Sequence, residues 1–389
     1  MVEFARAVFA ERDLQPTFDA LLTRANVDPG DAGALIDLST ILQLVGQRDQ
    51  GLALQADALV RQRWYRRPIG TGKGPRLLAI AAAGDMMANT PVEFLLAGWN
   101  GVLDHLYLAP GEPPPAEIPD HDLAILTVGE SDSGAAILAG LSETLARWPR
   151  PILNGSAAAI RDLRRDLAAE RLAGRPDIVA PPVLRVTPDD LGRLAAGAPP
   201  AELLPGCAWP IIVRPVGSHA GTGLAKLDDA TAVAAYRAEQ GAEAFYLSPF
   251  VDYRSPDGRF RKLRVALVAG RPFIVHLAIS DHWMVHYLNA GMAEDAAKRA
   301  EEAQVMASFD TGFAARHASA FAALHGAFGL DYFAIDCAED REGRLLVFEP
   351  DTAMIVHDMD PPELYPYKAP AMHKLFAAFQ ALVNQRAGA

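Results

Sequence analysis

The chain has 389 residues, half of them hydrophobic, and a net charge of −12. That length exceeds one ordinary core and implies two or three domains, while the acidic balance disfavours nucleic acid and anionic membrane surfaces as partners. Cys207 and Cys337 lack metal-type spacing and fit a reducing compartment, the opening MVEFARAVFAERD is no signal peptide, and apolar runs such as Leu77–Ala83 are far too short to span a bilayer, so a cytoplasmic protein is expected.

Residues 1–67 read as a helical region. Phe18, Leu21, Leu22 and Ala25 recur at helical spacing, Asp28-Pro29-Gly30-Asp31 breaks the run, and Leu35, Leu38, Leu42 and Val45 resume it. Leu52, Leu54, Ala58 and Leu59 give a further helix after Gly46. The order resembles a tetratricopeptide-like hairpin. One unit and a fragment cannot build an independent solenoid, so the region is expected to cap the next domain; it also offers a surface for a protein partner. Arg61–Pro75 is basic, glycine-rich and without apolar period. Gly72-Lys73 resembles the end of a phosphate loop, but no strand precedes it and the full motif is missing, so the segment reads as a linker.

Residues 75–155 read as a small parallel α/β domain. Arg76–Gly84, Asp104–Ala109, Asp122–Val128 and Pro151–Asn154 are its expected strands; Pro91–Gly98 and Gly134–Trp148 are its helices. Residues 156–389 form a different α+β domain, with a lid subdomain at about 180–250. It opens with one arginine-rich helix over Ala157–Leu172.

Three segments of that domain carry chemistry. In Trp209–Lys226 a buried β run ends in Arg214 and is followed by a loop with Gly217, Ser218, Gly221 and Gly223. Small residues let backbone N–H groups approach phosphate oxygens, and a guanidinium pairs with them bidentately. Ala244–Val251 and Arg261–Gly270 are further strands, and alternation turns Arg264 away from Leu263, Val265 and Leu267. Asp331–Glu339 and Arg344–Asp351 alternate as a hairpin around Asp340-Arg-Glu-Gly343. A turn centred between Glu342 and Gly343 sets Asp336 opposite Glu349, with Asp351 on the same face. Opposed like charges are destabilising unless a cation is shared between them, and an all-oxygen cluster suits Mg²⁺ or Mn²⁺.

Together these segments resemble the ATP-grasp superfamily, in the branch of glutathione synthetase, D-alanine–D-alanine ligase and RimK-like ligases. The resemblance spans roughly residues 76–385. It implies ATP and Mg²⁺ as cofactors, small-molecule or peptide substrates bearing a carboxylate and an amine, and an acylphosphate intermediate; a homodimer is compatible with it. It implies metal ligands at Asp336, Glu349 and Asp351. It implies nucleotide contacts at Arg214, Ser218, His219, Gly221 and Gly223, at the hinge residues Ser248, Phe250 and Val251, and at one of Arg161, Arg164 and Arg165, of which Arg165 is taken. It further implies a phosphate or substrate contact at Arg264. The Ile274–Asn289 stretch lies where the family places acceptor contacts, which singles out His276 and Asn289 for catalysis and Ser280, His282 and His286 as pocket lining. Several positions depart from the family pattern: Arg214 replaces a usual lysine, Asp351 a usual asparagine, and Lys262 stands near an expected ribose-binding acid. Competing readings are a small-molecule kinase on the same fold and a non-catalytic nucleotide-binding module attached to an interaction surface.

Overall fold

A computed structural model describes residues 1–112, 114–115, 117–218 and 221–388. The chain opens with four helices: α1 (Val2–Phe9), α2 (Gln15–Val27), α3 (Ala32–Leu44) and α4 (Arg48–Arg61). Asp31 caps α3 by accepting from the Ala34 N–H at 2.9 Å, which is why the Asp-Pro-Gly-Asp break ends where it does. Leu21, Leu38 and Ile41 pack between α2 and α3. The helices sit on the sheet that follows. The Gln55 side-chain amide closes two bonds onto the Gly84 backbone, at 2.9 and 2.8 Å, and the Met1 amine lies 3.0 Å from Glu93.

The segment read as a linker contains a strand. β1 (Trp64–Ile69) pairs antiparallel with β3 (Gly101–Leu108) at the edge of a five-stranded sheet. Its arginines hide it from an apolar-period reading. Arg66 lies directly opposite the fully buried Asp104 and grips it with two bonds, at 2.9 and 2.8 Å. Tyr65 points the other way, into α4, where its hydroxyl reaches the Ala58 carbonyl at 3.2 Å. Charged side chains on an edge strand also discourage pairing with other chains. β2 (Arg76–Ala82), β4 (Leu123–Leu126) and β5 (Ile152–Leu153) complete the order β1-β3-β2-β4-β5, parallel apart from β1. Between them run α5 (Val92–Leu95) and α6 (Asp132–Ala146).

The arginine-rich helix is two helices, α7 (Ala157–Arg161) and α8 (Arg165–Leu172). The extended ψ of Arg164 breaks the run and re-aims the chain at Arg165. β6 (Ile178–Val179) follows, and then a small antiparallel sheet of order β7-β10-β8-β9 with its own core. Its parts are β7 (Leu184–Val186), α9 (Pro188–Ala195), β8 (Ile211–Pro215), β9 (Ala225–Leu227), α10 (Ala230–Glu239) and β10 (Phe245–Pro249).

The third sheet has the order β12-β11-β13-β14-β6. It holds β11 (Phe260–Val268), β12 (Arg271–Ser280), β13 (Tyr332–Glu339) and β14 (Leu345–Asp351). The helices α11 (Ala296–Ser308), α12 (Phe313–Arg316) and α13 (Ala318–Phe328) lie between β12 and β13, and α14 (Lys368–Ala387) ends the chain. One continuous buried cluster joins the first and third sheets, whereas the small sheet stands apart from it. No helix among the described residues is long and apolar enough to cross a membrane.

Asn154 ties the first sheet to the third. It is buried, adopts φ of 51°, and its amide bonds both the Tyr332 carbonyl (2.7 Å) and the Tyr332 N–H (2.9 Å). Removing the side chain leaves two buried backbone groups unpaired. Asn154→Ala is expected to lose about 2–4 kcal/mol of stability in a denaturant titration. A loss of only a few tenths would show that the bridge is not structural.

Candidate functional site

The β13–β14 hairpin reaches the expected facing of Asp336 and Glu349 by an unexpected route. Near the turn the pairs are Cys337–Val347 and Glu339–Leu345, so the turn is centred on Glu342 and the pairing there is one residue out of register with the sequence reading. Asp340 closes it by accepting from the Arg344 N–H at 2.8 Å. The register then shifts between Asp336 and Cys337, and Phe348 is the extra residue of a β-bulge. Beyond the bulge Asp336 faces Glu349, and Asp351 faces Ala334 on the same side. Phe348 meets Tyr253 edge-on, with ring centres 5.1 Å apart.

Asp336 and Glu349 of this face each meet a cation of the chain itself. Lys262 and Arg264 project from β11, and Arg264 lies directly opposite Asp336. The Lys262 ammonium donates to Asp336 Oδ2 at 2.8 Å. Arg264 donates to both oxygens, at 2.8 and 3.2 Å, and its third bond goes to the Ile355 carbonyl at 3.2 Å. Burial opposes charge on Asp336, but the attraction of Arg264 and Lys262 outweighs it and holds the carboxyl well below the usual range. Glu349 pairs with Arg165, whose guanidinium is pulled down by burial against the attraction of Asp351. The Asp351 carboxylate also accepts from the Ala353 N–H at 2.8 Å. Among the described residues no group of three His, Cys, Asp or Glu side chains is disposed to hold a metal ion. The shared cation expected between the three carboxylates is thus supplied by fixed ammonium and guanidinium groups, and the face does not fit a three-carboxylate metal site.

These groups floor a cleft of about 600 Å³ between the small sheet and the third sheet. Arg214, Ser218, Gly221, Ser248, Phe250 and Val251 line it from the small-sheet side; Arg165, Arg264, Asp336, Glu349 and Asp351 line it from below. Arg161 is exposed, and Arg164 binds Asp166 at 2.7 Å, which leaves Arg165 as the arginine of its trio paired with Glu349. Arg214 holds the glycine loop by donating to the Ser218 carbonyl and to Ser218 Oγ. Its Nε is buried with no partner among the described residues, and burial followed by repulsion from Arg165 pulls its guanidinium down to about 9. It pairs with neither nearby acid: Asp228 binds Lys226 and Asp229 caps α10. Gly217 and Gly221 have φ of 74° and 78°, a region glycine enters without strain. A Cβ on Gly221 would lie 3.1 Å from Met284, so the loop approaches the opposite wall closely. Gly223 is outside the cleft, its carbonyl bonded by the Tyr236 hydroxyl at 2.7 Å. His219 lies outside the described residues. At the hinge the Phe250 N–H is engaged by the Pro210 carbonyl at 3.0 Å, and Val251 lines the cleft beside it.

The acceptor-side residues fare differently. His286 lines the cleft; His276, Ser280, His282 and Asn289 do not. His276 packs its ring against Tyr287, 4.8 Å between centres, and burial followed by the nearby Arg264 charge keeps it neutral. Asn289 is exposed and accepts from the His286 N–H at 3.0 Å, fixing a short turn over Tyr287–Asn289. Neither is placed for catalysis in the cleft. The sequence reading missed Glu130, which enters from the loop before α6. Burial and then the charge of Asp351 push its carboxyl up to about 7, against the pull of Arg165 and Arg164. No local motif marks it, because its position depends on the packing of the first sheet against the third.

No family model and no curated protein matches the chain. Among solved structures it is similar to a RimK domain ATP-grasp protein from Sphaerobacter thermophilus, with 16% identity and a TM-score of 0.42 over 79% of this chain and 98% of that one. It is also similar to D-alanine–D-alanine ligase from Bacillus anthracis, with 13% identity and a TM-score of 0.44 over 80% of this chain and 99% of that one.

Glu130 has a stability signature. A carboxyl raised from 4.5 to about 7 binds its proton more tightly in the folded state, so folding loses free energy as pH rises through that window. Glu130→Gln removes the titration. Its melting temperature is expected to exceed the parent's by a margin that is small in acid and grows up to about pH 7. Parallel melting curves across that range would contradict the assignment.

Proposed function

We propose that the chain is an ATP-dependent ligase that activates a carboxylate as an acylphosphate and joins it to an amine. The observation that carries this reading is the convergence of Arg165, Arg214, Lys262 and Arg264 on one cleft beneath a glycine loop. A nucleoside triphosphate is the ligand whose charge and length suit that set. The adenine end belongs at the hinge, where Val251 lines the cleft and Phe250 and Trp283 meet edge-on at 5.9 Å. The triphosphate belongs over the cationic floor, with Arg214 and the 217–223 loop above it. This order of parts is the one the ATP-grasp resemblance implies, which favours a ligase over a simple binding module.

In the proposed reaction a carboxylate oxygen attacks the γ-phosphorus and ADP leaves. The amine nitrogen then attacks the acyl carbon and phosphate leaves. Arg165, Arg214, Lys262 and Arg264 stabilise charge on the phosphoryl group in place. The loop excludes water that would hydrolyse the acylphosphate. Glu130, poised near neutrality, is suited to take the proton the amine must lose.

Hydroxylamine offered with a panel of carboxylic acids tests the chemistry. A ligase releases ADP and free phosphate in equal amounts and forms a hydroxamate from its own acid. A stable phosphorylated product without free phosphate would instead support a kinase. For binding, Arg214→Ala is expected to weaken a non-hydrolysable ATP analogue about ten- to a hundredfold, because a charge-assisted pair contributes roughly 1.5–3 kcal/mol. Arg214→Lys should lose less. Unchanged affinity in the alanine variant would remove Arg214 from the site.

A further inference from the structure

The floor of the cleft is built to present cations. Asp336 is almost completely buried, and three of its acceptor positions are filled by Lys262 and Arg264. Lys262 is only 13% exposed, so the pair is sheltered from bulk water. An ammonium has three N–H donors and a guanidinium five. Among the described residues Lys262 uses one and Arg264 three, all on Asp336 and the Ile355 carbonyl. Two donors on each side chain remain, and both side chains line the cleft. A divalent ion at Asp336 would have to displace both cations from a buried carboxylate, stranding charges that have no other acid partner among their described bonds.

We infer that Asp336 is a tether rather than a metal ligand: it fixes Lys262 and Arg264 as the groups that bind the phosphates of the nucleotide, so that nucleotide binding by this chain does not depend on a divalent cation. The inference rests on the reading of the cleft as a nucleoside triphosphate site. It assigns Lys262 a role that compensates for the absence of a built metal chelate among the described residues. The ammonium occupies the place beside Asp336 where a metal would otherwise balance the carboxylate, and it is covalently part of the chain.

Calorimetric titration of the full chain with β,γ-imido-ATP, in excess Mg²⁺ and separately in excess EDTA, tests this. The affinities in the two media are expected to agree within about threefold. Lys262→Met is expected to weaken binding about tenfold in both media, since one charge-assisted contact is lost. Lys262→Asp sets a second carboxylate beside Asp336 and is expected to make binding dependent on Mg²⁺. Because a change at Lys262 can unsettle the floor, the nucleotide-free parent is also titrated with Mn²⁺ under electron paramagnetic resonance, where no tight site is expected. A parent that binds the analogue only with Mg²⁺, a tight Mn²⁺ site in the free protein, or a folded Lys262→Met variant with parental affinity overturns the inference and leaves the nucleotide reading standing. No binding in either medium overturns both.

Discussion

The buried carboxylate of Asp336 is the constraint on which the cleft depends. A charge removed from water is tolerated only when it is paired and hydrogen-bonded. Asp336 meets both conditions through Lys262 and Arg264, at 2.8 Å to each. The cations are held in return: a lysine and an arginine two residues apart on β11 would repel one another without the acid opposite them. Removing Asp336 therefore would not simply delete a negative charge. It would release two positive ones from the floor of the site.

The rest of the architecture places a second surface over that floor. The first and third sheets share one core, through which Asn154 and α14 run as ties; the Trp99 indole, for example, donates to Asn384 of α14 at 2.9 Å. The small β7–β10 sheet has its own core and meets this body mainly across the cleft. Two separately packed bodies joined by short connections are the usual basis for closure about a ligand. The Arg185–Asp132 pair, from β7 to the start of α6, is exposed enough to contribute little, so it does not lock the two together.

Much of this was legible in the sequence, for local reasons. Alternation located β8, β10, β11, β13 and β14, turned Arg264 to the correct face, and put three acids on one side of a hairpin. Glycine positions marked the loop at 217–223. What failed required information that is not local. β1 is an edge strand whose arginines find their acids on β3 and in the helical layer, so it looked like a basic linker. The bulge at Phe348 is invisible to a simple register argument, which reached the right pairing of Asp336 with Glu349 although the pairs nearer the turn are one residue out of its register. The break at Arg164 that separates Arg165 from its neighbours is a backbone choice with no proline or glycine to announce it. His276 and Asn289 were placed by position along the chain, but Tyr287 stands over the one and turn geometry engages the other. Lys262 was the informative departure. Its spacing from Arg264 puts two cations on one face of β11, but that they pair with Asp336 in place of a shared metal ion was not read from the sequence and emerged only with the register of β11 on β13.

The most direct test of a nucleotide cleft at this place is photolabelling with 8-azido-ATP followed by peptide mapping. Label is expected on the hinge and the facing wall, within residues 245–253 and around Trp283, and excess ATP should suppress it. Label confined to the N-terminal helices, or label that excess ATP fails to suppress, would contradict a nucleotide site between the two sheets.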